Sequence, residues 1–285
     1  MTFSIVARSD DGRMHGVAVA SKFLAVGSAV PAAEANIGAL ATQSYANLAY
    51  GPQGLALLRT GTAAADVVAG LTAADPGRET RQLGVVAATG AGATYTGSEC
   101  HAFAGGVAGD GYAIQGNILT GRAVVEAMER AWRNGAELPF TRRLVVALTA
   151  GDEAGGDSRG RQSAAVFVVA KGQGYGGTSD IVCDLRIDDH PDPVPELGRL
   201  LDLHSLYFDK PDPAAALPLQ GDLATEVRAD LAALGHTADD TAGGLDAALS
   251  SWAGVANLEE RMLPGKIDPL VLGQLRTEIA AVTSS

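Results

Sequence analysis

The sequence predicts an α+β fold of layered antiparallel sheets covered by helices, with a small helical module behind it. Three observations carry this. The expected elements run strands, two helices, strands, two helices, strands, which is not the βαβ alternation of a parallel sheet. The strands are short and bounded by turn residues. The composition shifts after Tyr207 into a Pro- and Ala-rich stretch, Asp209 to Pro218.

Residues 2–8 read as the first strand. Ser9-Asp10-Asp11-Gly12 is a turn, and residues 13–20 are its hairpin partner. If residue 8 pairs near 13, residue 2 lies opposite 19 or 20, and Ser21 and Lys22 sit beside Thr2. Ile37–Thr42 is a strand, followed by helices over 51–59 and 63–73 that stop at Asp75-Pro76-Gly77. Strands are expected at 82–88, 92–96 and 111–116, then helices at 120–134 and 139–150. The first of these two helices sets Val124, Val125, Met128 and Trp132 on one face. After the Gly151–Arg161 loop come strands 162–170 and 181–187 and a helix from Asp192 to Leu206. This gives a domain over 1–208, a linker over 209–221 and a helical module over 222–285, with helices near 222–234, 242–253 and 268–281. Residues 211–285 hold 11 acidic and 4 basic residues, a net charge of −7.

The charge balance excludes some functions. A net charge of −12 argues against nucleic acid and against an anionic membrane surface. Ala35–Leu58 is uncharged but too polar to span a bilayer. The N-terminus lacks the basic and apolar regions of a secretory signal. Two cysteines, Cys100 and Cys183, give neither a disulfide framework nor metal-ligand spacing. The expectation is a cytoplasmic protein with no metal and no cofactor.

Several segments could carry chemistry. Thr2 follows the initiator Met1. With Met1 removed, its α-amine, with a pKa of about 7.7–8.0, can activate its own hydroxyl as a nucleophile. The plainer reading is a Thr opening a strand. The loop Gly155-Gly156-Asp157-Ser158-Arg159-Gly160-Arg161-Gln162-Ser163 could hold a carboxylate on two Arg, or form a turn pinned by an Asp157–Arg pair. Gln115-Gly116-Asn117 ends a strand with two amides around a Gly, and Asn117 can donate to a developing oxyanion, or the amides can be satisfied in the interior. Asp192 before Pro193 caps a helix, a better reading of Asp188–Pro193 than a metal site. Gly172-Gln173-Gly174-Tyr175-Gly176-Gly177 matches a dinucleotide fingerprint by letter but lacks the helix that must follow. Cys100 beside His101 reads as a structural thiol.

The motif order resembles a bacterial family, domain of unknown function 1028, classed with the N-terminal nucleophile (Ntn) hydrolases. The resemblance covers residues 1–208 and rests on Met1–Ala7, Val19-Ala20-Ser21, Ala41-Thr42-Gln43, Tyr50-Gly51-Pro52 and Asp75-Pro76-Gly77-Arg78. It continues through Gln115-Gly116-Asn117, Gly155-Gly156-Asp157, Arg159–Ser163 and Asp184–His190. The tail, through Leu223, Leu231, Leu234-Gly235, Ala248-Leu249, Asn257–Arg261 and Leu270, resembles a peptidoglycan-binding-like domain. The resemblance implies a four-layer αββα sandwich and Thr2 as the processed nucleophile.

The resulting expectation is an Ntn-type hydrolase cleaving an amide C–N bond of a small, carboxylate-bearing molecule. Thr2, Ser21, Lys22 and Asn117 form the catalytic set, with Lys22 lowering the pKa of the Thr2 amine. Gln43, Asn47, Gln115, Asp157, Arg159 and Arg161 bind substrate. One alternative is a non-enzymatic ligand-binding or scaffolding protein that keeps the fold. Another is acid/base chemistry by Asp157 with His101. The apolar faces of the tail, including Leu223, Val227, Leu231 and Leu234, predict a homodimer or larger assembly.

Overall fold

The structure, a computed structural model, describes residues 2–241 and 243–283. Met1, whose removal the Thr2 chemistry requires, lies outside the described residues. The chain divides into two compact units, residues 1–201 and 202–285.

The first unit is built on two antiparallel sheets. One has six strands: β1 (Thr2–Arg8), β2 (Met14–Ser21), β7 (Gly105–Gly109), β8 (Tyr112–Asn117), β9 (Ser163–Ala170) and β10 (Ile181–Ile187), in the order β10-β9-β2-β1-β8-β7. The other has four, β3 (Pro31–Glu34), β4 (Gly38–Ser44), β5 (Arg81–Ala87) and β6 (Ala93–Thr96), in sequence order. Helices α1 (Tyr50–Arg59) and α2 (Ala64–Ala73) cover the smaller sheet, and α3 (Ala123–Asn134) and α4 (Phe140–Glu153) cover the larger.

Alternation along the strands sorts the layers. On β1, Phe3, Ile5 and Ala7 face the helices, where they meet Met128, Leu144 and Leu148. Val6 faces the other sheet with Val17, Val19, Val26, Ala39, Ala41 and Val86. On the outside of the small sheet, Leu40, Leu83 and Val85 meet Tyr50, Leu58, Val67 and Leu71. The result is the expected helix–sheet–sheet–helix layering.

The hairpin register differs from the expected one by two residues at Arg8. Arg8 pairs with His15 instead of near residue 13, and Phe3 pairs with Ala20, because Ser9 to Arg13 form a five-residue connection closed by Ser9 N–H donating to Met14 O at 3.0 Å. Thr2 therefore lies beside Ser21. Two strands of this unit, β3 and β7, are additional to those read from sequence. Both are edges, one without β-branched or aromatic residues and the other mostly Gly. Gly106 is required there: a Cβ would stand 2.7 Å from Ile114 O.

The second unit has its own core. The helix α5 (Pro193–Phe208) runs across the boundary, and α6 (Gly221–Ala233), α7 (Gly244–Val255) and α8 (Pro269–Thr283) follow. Val227, Leu231, Leu249, Trp252, Leu258 and Leu275 pack together. Residues 209–221, expected as a linker, include a short strand β11 (Leu217–Pro218) paired with β12 (Lys266–Ile267). Arg261 binds Asp268 at 2.9 Å with both side chains almost fully buried, and donates to the carbonyls of Ser205 and Asp209. Among the described residues, no helix is long and apolar enough to cross a membrane.

Candidate functional site

One end of the space between the two sheets is polar. The β1 face that carries Val6 toward the other sheet carries Thr2 and Ser4 there too. Asn117 pairs with Thr2 and Gln115 with Ser4 on β8, and Gln43 pairs with Gln82 across the smaller sheet. Ser4, Gln43, Gln82, Gln115 and Asn117 are 1% exposed or less, and Thr2 is 6% exposed.

These groups form one directed hydrogen-bond chain. Gln115 Nε2 donates to Ser4 Oγ at 2.7 Å, and Ser4 donates to Gln43 Oε1 at 2.7 Å. Gln43 Nε2 donates to Gln82 Oε1 at 2.8 Å, as does Asn117 Nδ2 at 2.9 Å. Gln82 Nε2 ends the chain on Gly116 O at 2.7 Å and Thr96 Oγ1 at 2.9 Å. A backbone carbonyl can only accept, so that terminus fixes the sense of Gln82 and of each amide behind it. Among the described residues, Gln115 Oε1 is left buried without a partner, above Gly84, where a Cβ would fall 2.1 Å from that oxygen.

The chain converges on residue 2. Gln43 Nε2 and Asn117 Nδ2 approach the Thr2 carbonyl at 3.2 and 3.5 Å. The Thr2 hydroxyl is 3.1 Å from Ser21 Oγ. An aligned hydroxyl pair beside an immobilised backbone can pass a proton and hold one Oγ in a fixed direction.

Backbone strain collects at the same end. Among the described residues, five non-glycine positions have positive φ, and two of them are Asn, which tolerates it. The other three are Ala25 (φ 52), Ser44 (φ 71) and Ile118 (φ 50). Ser44 and Ile118 directly follow Gln43 and Asn117, and Ala25 lies in the loop leaving Ser21. A β-branched residue in this region is a marked outlier, and such strain concentrates where a binding or catalytic geometry must be held.

The Arg loop lies against the other side of Ser21. Asp157, 7% exposed, accepts from Lys22 N–H at 2.8 Å and Arg159 N–H at 2.9 Å. Arg159 also reaches Asp157 Oδ2 through Nη2 at 3.3 Å. Arg161 bridges Asp152 and Asp192, each at 2.9 Å, and Asp152 raises the Arg161 pKa. A solvent-open depression of about 470 Å³ is lined by Asp152, Gly155, Asp157, Gly160 and Arg161. The Lys22 ammonium is exposed and donates to Arg161 O at 3.1 Å.

Asn47 belongs to a different cluster. It donates to Asp75 Oδ2 at 3.1 Å, beside Tyr50 at 2.9 Å and Arg81 at 2.9 Å. The Arg81 guanidinium, with Asn47, Gly77 N–H and Tyr50 behind it, holds the Asp75 carboxyl well below the usual carboxylate range. Burial, and then Asp75, pushes the Tyr50 hydroxyl up. The His101 ring stacks at a tilt on Tyr45, with centroids 6.1 Å apart.

The structure thus gathers Thr2, Ser21, Gln43, Gln115 and Asn117 in one layer and sets Lys22, Asp157, Arg159 and Arg161 along its flank. Sequence reading missed Ser4, Gln82 and Asp152. Gln82 carried a usable signal: it is a lone large polar residue on the inward phase of an apolar strand, as Gln43 is.

The comparisons with known proteins agree with this architecture. A family model described as a family of unknown function, DUF1028, matches residues 2–197. A model described as "Putative peptidoglycan binding domain" matches residues 207–275. A crystal structure of a DUF1028 protein from Silicibacter pomeroyi is 32% identical, covers 79% of this chain and 92% of that one, and superposes with a TM-score of 0.65. No curated protein matches. The family match over the whole first unit, and the solved relative that shares its fold, show that the chain belongs to the DUF1028 family of unknown function.

Proposed function

We propose that the protein is an Ntn-type hydrolase cleaving the amide C–N bond of a small carboxylate-bearing molecule. The observation that carries this is the placement of Thr2. It sits at the start of a central strand, its Oγ1 is 3.1 Å from Ser21 Oγ, and its carbonyl is held by two buried amides. In this mechanism Met1 is removed and the freed α-amine takes the Thr2 hydroxyl proton. Oγ1 attacks the amide carbon, the amine half leaves with that proton, and water hydrolyses the resulting ester. Ser21 orients Oγ1, and Lys22, Asn117, Gln43 and Gln115 support the site. Arg159, 45% exposed in its side chain, receives the substrate carboxylate, with Arg161 and Asp157 behind it and Asn47 on the opposite flank.

Intact mass and turnover test this together. Loss of Met1, an acyl-enzyme adduct on Thr2 with a panel of small amides, and no turnover by Thr2→Ala are expected. Retained Met1 in active protein refutes the mechanism.

A second reading, a ligand-binding protein that keeps the fold, is favoured by the tail's match to a peptidoglycan-binding model. Binding of isolated sacculi by the full chain, with no turnover of any amide, would select it. We further propose a cytoplasmic location, on a sequence whose two cysteines give no disulfide framework, and a homodimer or larger assembly. Cell fractionation tests the first. Solution mass, with and without residues 211–285, tests the second.

A further inference from the structure

We infer that the substrate's acyl half is an apolar chain, received by Phe23, Leu24, Tyr45 and Leu48. The inference rests on the reading of Thr2 as the amide-cleaving nucleophile and narrows its substrate to N-acyl amino acids with aliphatic or aromatic acyl groups. Those four residues are 55%, 59%, 59% and 58% exposed. Single exposed apolar residues are ordinary on any surface, but these four follow the two strand ends that meet at Thr2. Phe23 and Leu24 leave the strand end that carries Ser21, and Tyr45 and Leu48 leave the one that carries Gln43. Gln43 donates to Thr2 O, and Ser21 contacts Thr2 Oγ1, so both loops start at the nucleophile.

The exposure is not that of slack loops. Ser163 Oγ donates to Phe23 O and accepts from Val26 N–H at 3.1 Å, and Ala25 N–H donates to Asp188 O at 2.9 Å. Across the site, Arg81 donates to Tyr45 O, Tyr45 N–H to Thr80 O at 3.3 Å, and Ala49 N–H to Asn47 Oδ1 at 3.2 Å. Positive φ at Ala25 and Ser44 holds both loops in unfavourable backbone conformations. A fold that fixes the backbone beneath exposed apolar residues, beside its most strained positions, keeps them there for a ligand.

Charge divides the ligand into two halves. Arg81 and Arg161 are engaged by Asp75 and by Asp152 with Asp192, so they do not compete for an anion. Arg159, whose side chain is 45% exposed beside Asp157, marks the polar flank for the amino-acid carboxylate. The rim between Phe23 and Tyr45 is left for the uncharged half, which becomes the acyl group esterified to Thr2.

The test is a series of N-acylglycines from acetyl to hexanoyl. Burial of each methylene is worth about 0.8 kcal/mol, so kcat/KM should rise about fourfold per carbon, falling to about twofold in Phe23→Ser or Leu48→Ser. Tyr175→Ser, 77% exposed beyond the strand end farthest from Ser21, should keep the fourfold increment. A flat series, or serine variants with the full increment, overturns the inference. If the wild type cleaves none of these amides, the hydrolase reading fails separately, and calorimetry with N-acetylglycine and N-decanoylglycine decides the rim. Tighter decanoyl binding that Phe23→Ser abolishes retains an acyl-chain site, and equal binding rejects it. If Phe23→Ser instead turns a dimer into monomers with the chain-length profile intact, a second copy occupies the rim and the inference is wrong.

Discussion

Replacing Gln82 with Leu tests whether the amide chain holds the polar end of the sandwich together. The side chain accepts from Gln43 and Asn117 and donates to Gly116 O and Thr96 Oγ1, all within 2.7–2.9 Å. With Leu, Gln43 Nε2 keeps Thr2 O at 3.2 Å, but Asn117 Nδ2 keeps only its 3.5 Å contact, and Gly116 O loses this donor. Two buried groups left short cost about 2 kcal/mol each. Leu burial returns about 1–2 kcal/mol, leaving a net loss of about 2–3 kcal/mol. For a unit of this size that is a fall of roughly 5–10 °C in Tm. The assay is urea unfolding in a Trp252→Phe background, where Trp132 reports the first unit alone. A loss below about 0.5 kcal/mol would show that the chain is replaceable by apolar packing, and the positioning of Thr2 by these amides would fall with it.

Three further outcomes are expected. Gly84→Ala places a methyl 2.1 Å from Gln115 Oε1 and should lower stability by about 1–3 kcal/mol, with Thr2 labelling by an electrophile slowed. Asp268→Ala strands the buried Arg261 guanidinium and should destabilise the second unit by about 3–5 kcal/mol, read by Trp252 fluorescence, while Trp132 signals no change. His15 is fully buried, and burial with Arg8 beside it lowers its pKa from 6.5 to about 4. Below pH 6.5 the unfolded chain binds a proton that the folded one refuses, so stability should fall on acidification by about 3 kcal/mol by pH 4. His15→Leu should remove that slope and raise stability at pH 7, as measured by urea unfolding at pH 7 and pH 4.5.

Much of the fold was legible because period and punctuation agreed. The stop at Asp75-Pro76-Gly77 and the Pro193 helix start fell where the chain turns. β3 and β7 were not legible, because edge strands are placed by their neighbours and their own residues have little strand propensity. At the site, Gln43, Gln115 and Asn117 were legible as polar residues at strand ends, but it is the pairing of β1 with β8 and the stacking of the second sheet that bring them to Thr2 and Ser4. The Asn47–Asp75 bond spans 28 residues and two helices, and no local pattern signals it. The position of the Lys22 ammonium was equally hidden: register placed its backbone, while its side chain follows the Arg loop, which the strand pattern does not describe.

The choice of amides over charges at this end follows from where it lies. The middle of the inter-sheet layer is Val and Ala throughout, so the polar end borders a medium of low polarity. A Lys or Asp there would carry a desolvation cost that only an equally buried partner could offset. Neutral Gln and Asn side chains can satisfy the Thr2 carbonyl and one another with no net charge, and each hydrogen bond is stronger for the low dielectric around it. The charged pairs stand one layer further out, as Asp157 with Arg159 and Asp75 with Arg81, where solvent still reaches the Arg partner. The arrangement keeps the amides that hold the Thr2 carbonyl, and the Ser21 hydroxyl beside Thr2 Oγ1, uncharged, the setting that the proposed role of a free residue-2 amine as a base calls for.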